Sequence, residues 1–277
     1  MQYRAVQTVE EALTLLDSPG NVKPIAGGTD LAVVIADGLI EPEMLLDVSA
    51  IPALCGIRRS EQGLAIGAAV TIAEIASRND LPACLVQGAR SIGSPQIRNL
   101  ATIGGNICNA SPCGDTLAPL VALDASFVLA SAAGSRTVPA EDFFLGPKKT
   151  VLRRGELLMQ ILIGPSCRAG SSAFRMIGKR NGQAISQVNA AVWLTLQDGR
   201  IGEVRAAVGS VAPVPLRLRE TERILRGSDR TGIEIQKVLE SVDREIAPIT
   251  DVRASVEYRR LVTGALFREA LLEALAG

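Results

Sequence analysis

The sequence contains no histidine. That absence removes the Ser-His-Asp triad, the Cys-His pair, histidine metal sites and histidine acid–base catalysis in one step. Any chemistry has to come from carboxylates, lysines, thiols, backbone amides or a bound cofactor. Net charge is lacking as well, since 29 Lys and Arg balance 29 Asp and Glu. With no net field to gather nucleic acid or an anionic membrane, neither is an expected partner. Paired cysteines are also missing. Cys55, Cys84, Cys108, Cys113 and Cys167 are scattered and form no Cys-x-x-Cys pair, which argues against a disulfide framework, a zinc site or an iron–sulfur site. Cys108 and Cys113 lie closer together, yet two thiols without histidine make a poor metal cage. No apolar run reaches the ~20 residues needed to cross a bilayer, and residues 1–11 carry no apolar signal-peptide core. The expectation is a soluble, cytoplasmic protein with reduced thiols.

What is present is enough apolar sequence, 47% of 277 residues, to bury a sizeable core in one large or two modest domains. Thr8-Val9-Glu10-Glu11 has capping-box spacing and predicts a helix over residues 9–17; Thr71 to Glu74 repeats the signal. Residues 22–26 read as a short strand leading into Gly27-Gly28-Thr29-Asp30 and a second apolar run from 31 to 35. Further strands are expected over 44–48, 63–68 and 157–163, a helix over 82–92, and a hairpin around Gly134. Residues 93–106 read as a polar, turn-rich stretch with little periodicity, and a long stretch of that kind in a compact domain usually has a job. A small, polar segment over 165–172 marks a boundary. Beyond it, Asp198-Gly199 joins two apolar strands as a type I′ hairpin, and helices are expected over 220–225, 233–242 and 254–275. An α+β domain over 1–165 followed by a separate, smaller α+β domain over 170–277 is the expected organisation.

Two glycine pairs stand out. A Gly-Gly pair in a turn lets the backbone approach a phosphate and aims consecutive amides at it. Neither pair fits Gly-x-Gly-x-x-Gly or Gly-x-x-x-x-Gly-Lys, and glycine pairs usually just make turns. Two pairs flanked by Thr and by Asp or Asn are more suggestive. Thr29, Thr102 and Asn106 would add side-chain donors to the amides of Gly27, Gly28, Gly104 and Gly105.

The stretch Pro24-Ile25-Ala26-Gly27-Gly28-Thr29-Asp30-Leu31 and the long run from Ile97 through Ala101-Thr102-Ile103-Gly104-Gly105-Asn106 to Asp115 resemble the two FAD-binding motifs of the medium subunit of molybdenum hydroxylases. That family includes the flavoproteins of xanthine, carbon monoxide and nicotinate dehydrogenases. Residues 143–150 and 251–260 extend the resemblance over nearly the whole chain. It implies a two-subdomain FAD-binding fold of the vanillyl-alcohol oxidase and p-cresol methylhydroxylase type, then a domain like the C-terminal domain of carbon monoxide dehydrogenase flavoproteins. It further implies that residues 24–31 and 101–106 wrap the diphosphate, that Asp115 lies near the nucleotide, and that Leu158 and Arg175 fall near cofactor positions. Ile92 falls where some relatives place an aromatic over the flavin ring. Read from the residues alone, Asp115 is also a favoured N-cap for residues 116–123. Leu158 and Trp193 are also ordinary strand core, and Arg175 ordinary surface charge.

The same resemblance implies a division of labour. A large subunit carries the molybdenum cofactor, a small one relays electrons through two 2Fe–2S clusters, and this chain's FAD passes them to NAD+ or another acceptor within a dimer of heterotrimers. The missing cysteine pairs accord with that, and without histidine the FAD is non-covalent. The protein's task would be to hold and tune the cofactor, with no catalytic residue of its own. Two rivals stay open: a stand-alone flavin-dependent reductase, and a scaffold subunit that has lost its FAD.

Overall fold

The computed structural model describes residues 1–180 and 182–277. Strand β1 (Gln2–Ala5) precedes helix α1 (Val9–Asp17), whose start is fixed by the Thr8 hydroxyl accepting from the Glu11 amide. Strand β2 (Val22–Ile25), helix α2 (Leu31–Ala36) and strand β3 (Met44–Asp47) follow. The strands form a parallel sheet in the order β1-β3-β2, beside a small core that includes Leu13, Leu16, Leu46 and Leu54.

Strands β4 (Ile57–Ser60) and β5 (Gly63–Gly67) open a second sheet. Five helices then run in succession: α3 (Ile72–Ser77), α4 (Ala83–Ser91), α5 (Pro95–Leu100), α6 (Ile103–Asn109) and α7 (Leu117–Ala122). Strands β6 (Ser126–Ser131) and β7 (Gly134–Pro139), helix α8 (Ala140–Phe143) and the short ribbon of β8 (Phe144–Gly146) and β9 (Lys149–Thr150) lead to β10 (Leu157–Ile163). The sheet is antiparallel in the order β4-β5-β10-β6-β7. Its core holds Ile66, Ile72, Leu85 and Ile103, with Phe127 and Phe143 packed edge to face at 4.9 Å between centroids.

The last part of the chain is a four-stranded antiparallel sheet of β11 (Ser171–Gly178), β12 (Ser186–Gln197), β13 (Arg200–Gly209) and β14 (Leu216–Arg217). Helices α9 (Arg219–Leu225), α10 (Ile235–Glu245) and α11 (Val256–Ala276) complete it. Asp198 and Gly199 turn β12 into β13 with φ of 51° and 77°, as the hairpin signal requires. Alternate residues of β12 serve two cores: Ala191 and Trp193 join the core of the five-stranded sheet, while Ala190, Val192 and Leu194 meet Phe267 and Leu271 of α11. Burial on both faces is why this strand reads as a nearly continuous apolar run.

The expected turn-rich stretch over 93–106 is instead largely helical. Ser94 accepts from the Ile97 amide with Pro95 in the first turn of α5, and Thr102 accepts from the Gly105 amide to start α6. These helices span 6 and 7 residues, too few to display a helical period. Among the described residues, no helix is long and apolar enough to cross a membrane.

Candidate functional site

A cleft of about 1080 Å³ opens where the loop after β2, the α5–α6 junction and the loop after α6 face Ser186 of β12, Ser210 and Arg259 of α11. Its first wall depends on glycine. A Cβ at Gly27 would fall 1.8 Å from the Leu100 carbonyl oxygen, and Gly28 has φ of +66°. Only glycine lets this loop lie against the end of α5 and then reverse. The amides of Gly27, Gly28 and Thr29 bond to no acceptor among the described residues. Successive unpartnered N–H groups on a cleft wall suit the oxygens of a diphosphate.

The second glycine pair is used differently. Ala101, Thr102, Gly105 and Asn106 line the cleft, whereas Ile103 and Gly104 are buried behind it. The Ile103 amide donates to the Val70 carbonyl at 3.0 Å and the Gly104 amide to the Ala68 carbonyl at 2.9 Å. The Gly105 amide is taken by the Thr102 hydroxyl at 3.1 Å. These donors anchor α6 against the chain leading into α3. The expectation that Gly104 and Gly105 offer free amides to a ligand is thereby corrected: the Ala68 carbonyl has claimed one and the Thr102 cap the other. A Cβ at Gly104 would stand 2.6 Å from the Ala68 oxygen, so this glycine serves close packing.

Around the rim, Asn109 donates to Asp30 at 3.1 Å, and the Lys148 ammonium bonds to Asn109 and reaches Asp30 at 3.5 Å. Asn106 accepts from Thr116 at 2.6 Å. Deeper in the wall, Asp115 is only 5% exposed and accepts from Asn189 at 3.1 Å. Burial pushes its carboxyl up to about 7, against the opposing pull of bonds to Ser91, Asn189 and Ser186. Thr116 is the N-cap of α7 and makes no side-chain cap bond, so Asp115 is not the N-cap its position suggested. Arg259 donates to the carbonyls of Gln187 and Ser210 and to Asp251 at 2.7, 2.6 and 2.8 Å. Burial raises the Asp251 carboxyl, but bonds from the Arg253 amide and the Arg259 guanidinium hold it down to about 2.

Of the residues singled out in the sequence, the structure thus brings residues 24–31, Ala101, Thr102, Gly105, Asn106 and Asp115 together. It does not bring Leu158 or Arg175 to the cleft. Leu158 is 3% exposed in the core of β10, opposite Leu129. Arg175 is held on β11 by Glu273 of α11, with Glu269 at 3.8 Å. Ile92 and Ile97 give the cleft an aliphatic face. Lys148, Ser186, Ser210 and Arg259 went unnoticed as site residues, although Lys148 and Arg259 sit within segments that carried the family resemblance. Ser186 and Ser210 reach the cleft only through the strand pairing. Among the described residues, no group of three or more Cys, Asp or Glu is gathered to hold a metal. A large cleft with a glycine-dependent, donor-rich wall and few opposing charges fits a dinucleotide cofactor.

Residues 1–166 match the family described as FAD binding domain in molybdopterin dehydrogenase, and residues 172–274 match the CO dehydrogenase flavoprotein C-terminal domain. The chain is 33% identical over 275 residues to the glyceraldehyde dehydrogenase medium chain of Sulfolobus acidocaldarius, covering 98% of this chain and 97% of that protein. It is 32% identical over 281 residues to the xanthine dehydrogenase FAD-binding subunit of Escherichia coli O157:H7, covering 99% and 96%. Its fold is similar to a chain of carbon monoxide dehydrogenase from Hydrogenophaga pseudoflava, with a TM-score of 0.93 at 31% identity, covering 100% of this chain and 97% of that one. The protein therefore belongs to the FAD-binding subunits of the molybdenum hydroxylases, and is an oxidoreductase subunit whose cofactor is FAD.

Proposed function

We propose that this protein is the electron-transfer subunit of a heterotrimeric molybdenum hydroxylase. It would accept electrons from the 2Fe–2S clusters of a small partner, while a large partner holds the molybdenum cofactor, and would deliver them to NAD+ or another acceptor. The observation that carries this reading is the Gly27–Thr29 wall, with its unpartnered amides on a cleft large enough for a dinucleotide. Relatives named medium chain or medium subunit support the presence of larger and smaller partners. Cytoplasmic placement accords with cysteines that form no disulfide.

When bound, FAD supplies the redox chemistry, gathering electrons that arrive singly and releasing them in pairs. The chain's own residues bind and orient it. Residues 24–31 take the diphosphate, the amides of Gly27, Gly28 and Thr29 donating to its oxygens. Ala101, Thr102, Gly105 and Asn106 would close the opposite side, with Asp115 in the wall near the nucleotide. Ile92 and Ile97 exclude water from the apolar face. Residues 1–165 form the FAD domain and residues 170–277 a second domain whose Ser186, Ser210 and Arg259 complete the cleft. With no histidine in the chain, no histidyl bond to flavin can form, and these contacts are what would retain the cofactor.

Co-purification of the protein from its native source tests the assignment. A complex containing molybdenum, iron and FAD, most simply a dimer of heterotrimers, is expected. An isolated chain that turns over a substrate by itself would point to a stand-alone flavin reductase. A metal-containing complex whose copy of this chain lacks flavin would point to a scaffold.

A further inference from the structure

Asn189 is an anomaly in its strand. It is fully buried between the apolar Val188 and Ala190, two residues after the buried Gln187. Its Nδ2 donates to Oδ1 of Asp115, 74 residues away, but its Oδ1 meets no hydrogen-bond partner among the described residues. The fold nevertheless makes room for that oxygen. Gly209, its register partner on β13, would place a Cβ 2.4 Å from it. On the other side, Gly88 of α4 lets the helix approach Asp115, where a Cβ would stand 2.4 Å from the Asp115 carbonyl. The carboxyl and the carboxamide are thus held together by one hydrogen bond in a site closely packed on both sides, with one acceptor unmatched.

The groups that face Asp115 are few. Ser91 comes from α4, and Ser186 and Asn189 come from β12; among the described residues no lysine or arginine bonds to it. The guanidinium lining the same cleft, Arg259, is engaged by Gln187, Ser210 and Asp251. A buried carboxylate without a cation is disfavoured, and the raised pKa of Asp115 agrees with that. A carboxylate can only accept, whereas a protonated carboxyl adds one O–H donor. Donors and acceptors here balance when that donor meets the unmatched oxygen of Asn189.

We propose that Asn189 is a positioning residue for the cofactor cleft, forming a reciprocal acid–amide pair with protonated Asp115, in which Nδ2 donates to one carboxyl oxygen and Oδ1 accepts the proton of the other. The proton comes from solvent. The pair joins β12 to the loop before α7 and presents an uncharged wall to an anionic dinucleotide. Its functional consequence rests on the reading of this cleft as the FAD site.

The test uses the full chain, measuring FAD affinity by quenching of flavin fluorescence between pH 6 and 8. Wild-type affinity is expected to fall about tenfold at pH 8, as the neutral fraction of Asp115 drops. Asp115→Asn keeps both bonds to Asn189 through its amide, so it should bind FAD more tightly than Asp115→Ala and show no pH dependence, because an amide does not titrate. Asp115→Ala and Asn189→Leu should bind more weakly at every pH. A second measurement needs no flavin: in protein labelled with carboxyl-13C aspartate, the signal lost in Asp115→Asn should report a protonated group at pH 6. A signal already ionised at pH 6, or Asp115→Asn failing as Asp115→Ala does, would overturn the pair. Failure of every form to take up FAD would instead count against the cofactor reading, and the 13C signal would still decide the pairing.

Discussion

Gly27 stands so close to Leu100 that a Cβ built on it would fall 1.8 Å from the Leu100 carbonyl oxygen. The obstacle is backbone, which cannot swing aside as a side chain can. Gly27→Ala should therefore push the first loop off the end of α5 and weaken FAD binding by at least about tenfold, with a stability loss of about 1–3 kcal/mol. Fluorescence titration and urea unfolding read the two effects. Gly105→Ala makes the useful contrast: its Cβ would meet the Thr102 hydroxyl oxygen at 3.1 Å, so a milder loss is expected.

Asp115 gives the stability a pH dependence of definite sign. Its folded-state pKa of about 7 lies above the ordinary aspartate value of 3.8, so the folded state binds more protons between these values. Its stabilising contribution is complete below the lower value and is lost as pH rises through the upper one, a swing on the order of 4 kcal/mol. Asp115→Asn removes the swing. Relative to the wild type, the variant should gain stability between pH 5 and pH 8 in urea midpoints; a constant difference would contradict this.

The pair Arg217–Glu222 is buried, with side chains 7% and 4% exposed and an N–O distance of 2.7 Å. Glu222 also accepts from the Ala206 amide at 2.9 Å, and Arg217 reaches Asp124 at 3.0 Å, tying β14 to the end of α7. Glu222→Ala leaves the Ala206 amide unmatched and strips the mostly buried Arg217 of its buried partner, with Asp124 as the remaining close carboxylate, and should cost about 3 kcal/mol. Thermal unfolding should show it as a large fall in Tm.

Much of this architecture was legible in the chain. The capping signals at Thr8 and Thr71, the Asp198-Gly199 turn and the apolar run of β12 carry their structure locally, because hydroxyl caps and positive φ angles need no tertiary partner. Strands β1 and β4 were not legible. Both are mostly exposed and polar, built from residues such as Gln2 and Arg4 or Arg58 and Arg59, so no apolar alternation marks them. In the site, the first glycine loop was visible as a motif, but the division of labour between the pairs was not. Whether an amide is free depends on what lies opposite, and the Ala68 and Val70 carbonyls come from far along the chain. Asn189 left no trace at all, since one amide in an apolar strand acquires meaning only beside Asp115.

Arg175 provides a negative control for the cleft. Its guanidinium is engaged by Phe174, Glu269 and Glu273 rather than lining the cofactor wall. Arg175→Ala should leave FAD affinity within about twofold and, as a partly exposed ion pair, change stability by at most about 1 kcal/mol. A tenfold loss of affinity would return Arg175 to the site.

The central claim is that this chain alone holds FAD, without a covalent link, in the cleft between the Gly27–Thr29 loop and the β12 sheet. The direct measurement is the flavin content of the purified full chain after acid precipitation. The account predicts a yellow protein that releases about one FAD per chain into the supernatant, and a Gly27→Ala variant that is largely colourless. Wild-type protein that is colourless and takes up no added FAD, or flavin that stays with the precipitate, would contradict it.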